Sequence, residues 1–231
     1  ANDNDNDADF KIYDNSGSML VGETNVDGNM RPQATHQNLI ECSATNNSQF
    51  VYFWFDDKSN DATYRLVNNT GSMITGQQDI DTNVGENAHV AVTSLEGNKF
   101  AMVWYDSKDD DITIAIRYAN NTEILPPTDI DTNAGTISRV AIAAVRPNSS
   151  AQEDYFVVAW YKNQGLDPIY AAVYDSQGNE ITAPFAAEIN PNNAYRLIDV
   201  MGHDVITDNE ICPGHFIIAY TNSSNKGEFI G

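Results

Sequence analysis

Two stretches of the chain place oxygen-bearing side chains at alternate positions: Asp79, Asp81 and Asn83, then Asp129, Asp131 and Asn133. Each run ends at a glycine two residues later, Gly85 or Gly135. Alternate oxygens on a tight turn resemble the opening of a calcium loop, so calcium is the cofactor these corners would take. The spacing lacks the closing bidentate glutamate. The same residues also suit a strand end with Ile pointing inward, Asp and Asn pointing outward, and an Asx turn beyond. Both readings stay open at this level. Two related corners carry Asn25, Asp27 and Asn29, or Glu188, Asn190 and Asn192. A second acidic group comprises Asp56, Asp57 and Asp61, then Asp106, Asp109, Asp110 and Asp111, where turn chemistry alone accounts for the residue types.

Other chemistry is sparse. His36, His89, His203 and His215 show no metal-ligand spacing. There is no Gly-x-Ser-x-Gly elbow and no phosphate loop. Acidic residues are so frequent that paired carboxylates for glycoside hydrolysis stay open. Asn-x-Ser/Thr sequons occur at Asn46, Asn68, Asn120, Asn148 and Asn222, all in segments that read as turns, where a glycan is tolerated.

The elements that must position these residues are strands. Apolar residues make up 41% of the 231, enough for a packed core despite a net charge of -21. Val, Ile, Thr, Tyr and Phe abound, and no long stretch shows helical periodicity. An aromatic strand followed by a polar turn recurs as FVYFWFDDKSND (50–61), FAMVWYDSKDDD (100–111), YFVVAWYKNQGLD (155–167) and FIIAYTNSSNKG (216–227). The following strand is also alike: TYRLVNNTG, TIAIRYANNTE and IYAAVYDSQGNE, with FKIYDNSGS opening the chain. Then come the corners, and then NLIECSA, HVAVTSL, RVAIAAV and RLIDVMG. Four short strands at a period of roughly 50 to 60 residues predict a propeller blade, since one such sheet cannot bury both faces alone. Trp54, Trp104 and Trp160 lie inside the aromatic strand and read as core between sheets.

The pattern FVVAWY, IYAAVYDSQGNEI and FAAEIN resembles the tandem β-propeller repeats of secreted bacterial and archaeal surface proteins. The resemblance implies a structural or adhesive role. The expected fold is all-β: four four-stranded antiparallel blades over residues 9–231, behind an acidic tail at residues 1–8. The ring is expected to close when the N-terminal strands complete the last blade. GEFIG (227–231) duplicates the start of that completing strand: either it frays, or the chain is cut from a longer array, or one subunit's terminal strand completes the sheet of the next.

Cys42 and Cys212 both fall near turns between the first and second strands of their units, and meet only if the first and last blades touch. A secreted chain with two cysteines favours pairing, and hemopexin-like four-bladed propellers are stapled in that manner. Asn38, His89, Arg139 and Arg196 open the inner strands and would circle one mouth of the channel, where they could hold an anion or a carboxylate.

The acidic surface repels nucleic acid and anionic membrane. No run is long enough to cross a bilayer as a helix. Cleavage of a signal peptide before Ala1 would account for the opening of the sequence. The expectation is therefore a non-enzymatic extracellular or cell-surface protein, structural or adhesive. It would self-associate or bind other surface and matrix components, as a filament or surface-layer subunit. The alternative is a lectin-like or calcium-dependent binding module.

Overall fold

The computed structural model describes residues 8–27, 40–45, 48–56, 58–86, 88–135, 139–145, 154–162, 168–188, 198–202, 215–221 and 227–230. The fold is all-β. The first sheet pairs β1 (Ala8–Tyr13) with β2 (Met19–Asp27). A four-stranded sheet follows: β3 (Ile40–Thr45), β4 (Gln49–Asp56), β5 (Asp61–Asn68) and β6 (Gln78–Asp81). The next holds β7 (His89–Leu95), β8 (Lys99–Asp106), β9 (Asp111–Tyr118) and β10 (Glu123–Asp131). Another holds β11 (Val140–Val145), β12 (Tyr155–Tyr161), β13 (Ile169–Asp175) and β14 (Glu180–Glu188). The last holds β15 (Ile198–Gly202), β16 (Phe216–Thr221) and β17 (Gly227–Ile230). Every pairing is antiparallel between strands consecutive in sequence, so the order of the predicted unit holds in the three central sheets.

The hairpins from third to fourth strand show why the repeat folds locally. Asp14, Asn68 and Asp175 each cap their own turn, the side-chain Oδ1 accepting from the backbone N–H two and four residues on at 2.8–3.0 Å. The turn then needs a left-handed residue. Gly71 and Gly178 supply it, and Asn121 takes the same place at φ 71°.

Packing follows the period of two. On β8, Phe100, Met102 and Trp104 join Phe53, Tyr64 and Val90 in one cluster. Ala101, Val103 and Tyr105, on the opposite face, join Val140, Val158 and Trp160 in the next. Both faces of the strand are buried, which requires a sheet on each side. The three tryptophans are fully buried, as their strand positions predict. The first strands of successive sheets lie side by side. Glu41 on β3 and Thr93 on β7 accept hydrogen bonds from the backbone N–H of Val92 on β7 and Ala144 on β11, both at 3.1 Å. On β15, a Cβ at Gly202 would stand 1.8 Å from the carbonyl oxygen of Ala144, so β11 and β15 approach as they do only because that residue has no side chain.

The sequence-based expectation of a closed ring of four blades is corrected. The described strands form sheets of two, four, four, four and three, and none closes a ring. The reason is edge occupancy. β17 pairs with β16 from Ile218↔Ile230 to Thr221↔Gly227, on the edge that β1 was expected to fill. β1 pairs only with β2, and Phe10, Ile12 and Val26 pack on Tyr52, Trp54 and Val67 of the second sheet. Ala8, placed in the acidic tail by the sequence, is already paired with Asp27; residues 1–7 lie outside the described residues.

Candidate functional site on the inner strands

Pairing with the tryptophan strand fixes the register of the first strands. Ile40 faces Trp54, Val90 faces Trp104, Val140 faces Trp160 and Ile198 faces Tyr220. One residue on, the equivalent positions are Glu41, Ala91, Ala141 and Asp199. Two carboxylates thus occupy one level of the first and last inner strands, with two alanines between. Glu41 is half-buried and accepts the Val92 N–H at 3.1 Å, whereas Asp199 is exposed. Burial pushes the Glu41 carboxyl up to about 7. The Val92 hydrogen bond opposes that rise, and the negative charge of Asp199 adds to it. The sequence carried this signal in the matching Leu-Ile-Glu and Leu-Ile-Asp of the outer units, where the middle units read Val-Ala. The acids are hard to single out there because they sit inside otherwise apolar strands.

The same register bears on the predicted anion mouth. His89 opens β7 and is buried; Arg139 immediately precedes β11 and is half-buried. Counted back from Ile40 and Ile198, their sequence equivalents are Leu39 and Leu197, so Asn38 and Arg196 stand one residue earlier. A one-residue offset exchanges the faces of a strand. Asn38 and Arg196 lie outside the described residues.

The corner acids face structural partners. Asp81 accepts the Trp104 indole N–H at 3.1 Å, and Asp131 accepts the Trp160 indole N–H at 2.9 Å, each across to the next sheet. Asp131 also takes Lys162 Nζ at 3.0 Å. Asp79 and Asp129 accept the hydroxyls of Thr63 and Thr113, at 3.1 and 2.8 Å. Asn83 is left-handed at φ 66°, and its N–H donates to Asp61 at 2.8 Å; the Asn133 N–H donates to Asp131 at 3.1 Å. Asn25 is exposed at its corner; Asn29, Asn190 and Asn192 lie outside the described residues. In the neighbouring turns Asp56 accepts the Lys58 N–H at 3.0 Å, Asp106 the Lys108 N–H at 2.8 Å, and Asp110 the Tyr105 hydroxyl at 2.8 Å. Burial, helped by the charges of Asp129, Asp106, Asp109 and Asp110, raises Asp111 to about 6. Among the described residues, no three His, Cys, Asp or Glu side chains converge to hold a metal ion.

Cys42 is exposed on β3 and Cys212 lies outside the described residues, as therefore does their expected pairing. Of the sequons, Asn68 and Asn120 stand in hairpin turns with Oδ1 bound to the backbone N–H of Thr70 and Thr122, both at 3.0 Å. Asn46, Asn148 and Asn222 lie outside the described residues. Among the described residues, no helix is long and apolar enough to cross a membrane.

No family model matches the chain, and no curated protein matches it. Among solved structures, it is similar to an α-L-arabinofuranosidase from Podospora anserina in complex with cellotriose. The TM-score is 0.37 at 8% identity, over 87% of this chain and 66% of that one. So remote a likeness says nothing of this chain's substrate. Two expectations are nevertheless corrected. The resemblance to tandem propeller repeats and hemopexin-like rings does not stand, because no family model matches and the described sheets close no ring. The expectation of a non-enzymatic chain is not upheld either: one solved structure it is similar to is that of an arabinofuranosidase, and so remote a likeness neither assigns nor excludes catalysis.

Proposed function

We propose that the chain is an extracellular structural or adhesive module. Its inner strands β3, β7, β11 and β15 lie side by side, and exposed apolar side chains supply the contact surfaces. The observation that carries this reading is where large apolar side chains meet solvent. Tyr13, Met19 and Leu20 of the first sheet are 55%, 59% and 61% exposed, and Met201 and Ile217 of the last are 71% and 40% exposed. Central strands such as β8 bury both faces. Ile74 beside the second sheet and Ile181 on β14 are exposed as well, at 41% and 55%, so apolar surface is spread over several sheets, which suits contact between copies, or with other surface and matrix components, in a filament or surface layer. The charge of -21 keeps the remaining surface soluble, and sequons in exposed turns suit an extracellular setting.

Sedimentation and negative-stain microscopy across a concentration series test the proposal. Growing assemblies are expected, and Leu20→Lys or Met201→Lys should disperse them. A chain that stays monomeric at every concentration and binds no matrix component defeats it. A second reading, a lectin-like or calcium-dependent binding module, draws on Glu41 and Arg139 beside the inner strands. Glycan arrays with and without chelator examine it, and uniformly blank arrays end it.

A further inference from the structure

Arg65, Arg117 and Arg139 each keep one buried guanidinium nitrogen without an acceptor, and Arg139 differs in what holds the rest of its side chain. Arg117 pairs with Glu123 at 2.9 Å, and Arg65 donates to the backbone carbonyl of Val26. The Arg139 side chain is half-buried, and its Nη1 is closed to solvent with no hydrogen-bond acceptor. Burial lowers its pKa and no carboxylate opposes that shift, in a chain with 33 acidic residues against 12 basic ones. A buried guanidinium nitrogen without an acceptor is costly, and elsewhere in this chain acids are plentiful enough to relieve such a group. Its backbone is fixed, since the Arg139 carbonyl accepts the Tyr161 N–H at 3.0 Å. The buried His89 occupies the equivalent place on the adjacent strand β7.

We propose that Arg139 anchors a binding site for a carboxylate-bearing ligand where β7 and β11 begin, with His89 forming the neighbouring wall. The planar guanidinium fork matches a carboxylate. The net charge of -21 favours a singly charged group, because a field repulsive to anions opposes phosphate or sulfate dianions more strongly. Two sources share this chemistry, an acidic sugar and a peptide C-terminus.

Calorimetric titration of the whole chain with glucuronic acid against glucose, and with a short peptide against its C-terminally amidated twin, separates the sources. At least one acid should bind on the order of tenfold or more tighter than its neutral twin. A response to the sugar acid alone assigns a glycan, and a response to the peptide alone assigns a chain end. Arg139→Met should remove that preference, and Arg139→Lys, which keeps the charge and loses the fork, should keep part of it. Thermal melts check that each variant is folded; the Lys variant carries the test if the Met variant is not. The proposal is overturned by equal binding of acid and neutral twin, by no binding of either acid, or by a preference unaltered in the folded variants. Tighter binding of inorganic phosphate overturns the choice of a singly charged ligand.

Discussion

The sheet of β7–β10 and the sheet of β15–β17 carry the same motif on their second strands and bury it differently. On β8 every residue from Lys99 to Tyr105 is buried, whereas on β16 Ile218 and Tyr220 are buried and Ile217 is exposed. The two sequences are close in kind, FAMVWY against FIIAYT. What separates them is company: a sheet packs on each face of the first, while among the described residues the last packs on the preceding sheet through one face. In a stack of repeats most stability comes from the interfaces between neighbours, so equal units are unequally held.

The largest effect should come from cutting a central interface. Trp104→Ala opens a cavity between two sheets and is expected to cost about 3–5 kcal/mol in denaturant unfolding, against about 0.5 kcal/mol or less for Ile217→Ala on the exposed face. Equal costs would erase the distinction between the regions. Gly202→Ala strikes where the two regions meet, forcing a Cβ against the Ala144 carbonyl. A loss of about 2–3 kcal/mol is expected, with β15 amides exchanging faster while those of β8 hold.

Asp81→Ala leaves the buried Trp104 indole N–H unpaired and should cost about 1–2 kcal/mol; Asp81→Asn, which keeps an acceptor, should cost less. The smallest effect is one of pH. Glu41 has a folded-state pKa raised to about 7 from an ordinary 4.5, so the folded chain holds that proton more tightly than the unfolded one. Its contribution is therefore present in full below about 4.5 and is lost as pH rises towards 7. Glu41→Gln should flatten that part of the stability profile and raise stability above pH 7 by about 1 kcal/mol, a figure reduced for the partial exposure of the group. An unaltered slope would remove Glu41 from the account.

Local features were readable in the sequence. Alternation in FVYFWF and FAMVWY marks strands covered on both faces, and the turn residues mark their ends. Partnerships across sheets were harder to read. Asp81 and Asp131 look like ion ligands because their partners, the indoles of Trp104 and Trp160, belong to the next repeat. Sheet closure was harder still. The likeness of GEFIG to the opening strand says that both suit the edge of β16; it does not say which one takes it. The repeat alone puts Asn38, His89, Arg139 and Arg196 at one level, whereas the pairing of Ile40 with Trp54 and Ile198 with Tyr220 moves the first and last by one position.

Native-state hydrogen exchange, resolved by strand, tests the central claim most directly: that this is an open series of sheets with a doubly covered middle and singly covered ends. Amides of β8 and β12 should exchange only through global unfolding, while those of β1, β2, β16 and β17 exchange through local opening several kcal/mol cheaper, roughly 2 or more. Protection that is uniform from β1 to β17 would mean that the terminal sheets join into one, and would contradict the open arrangement.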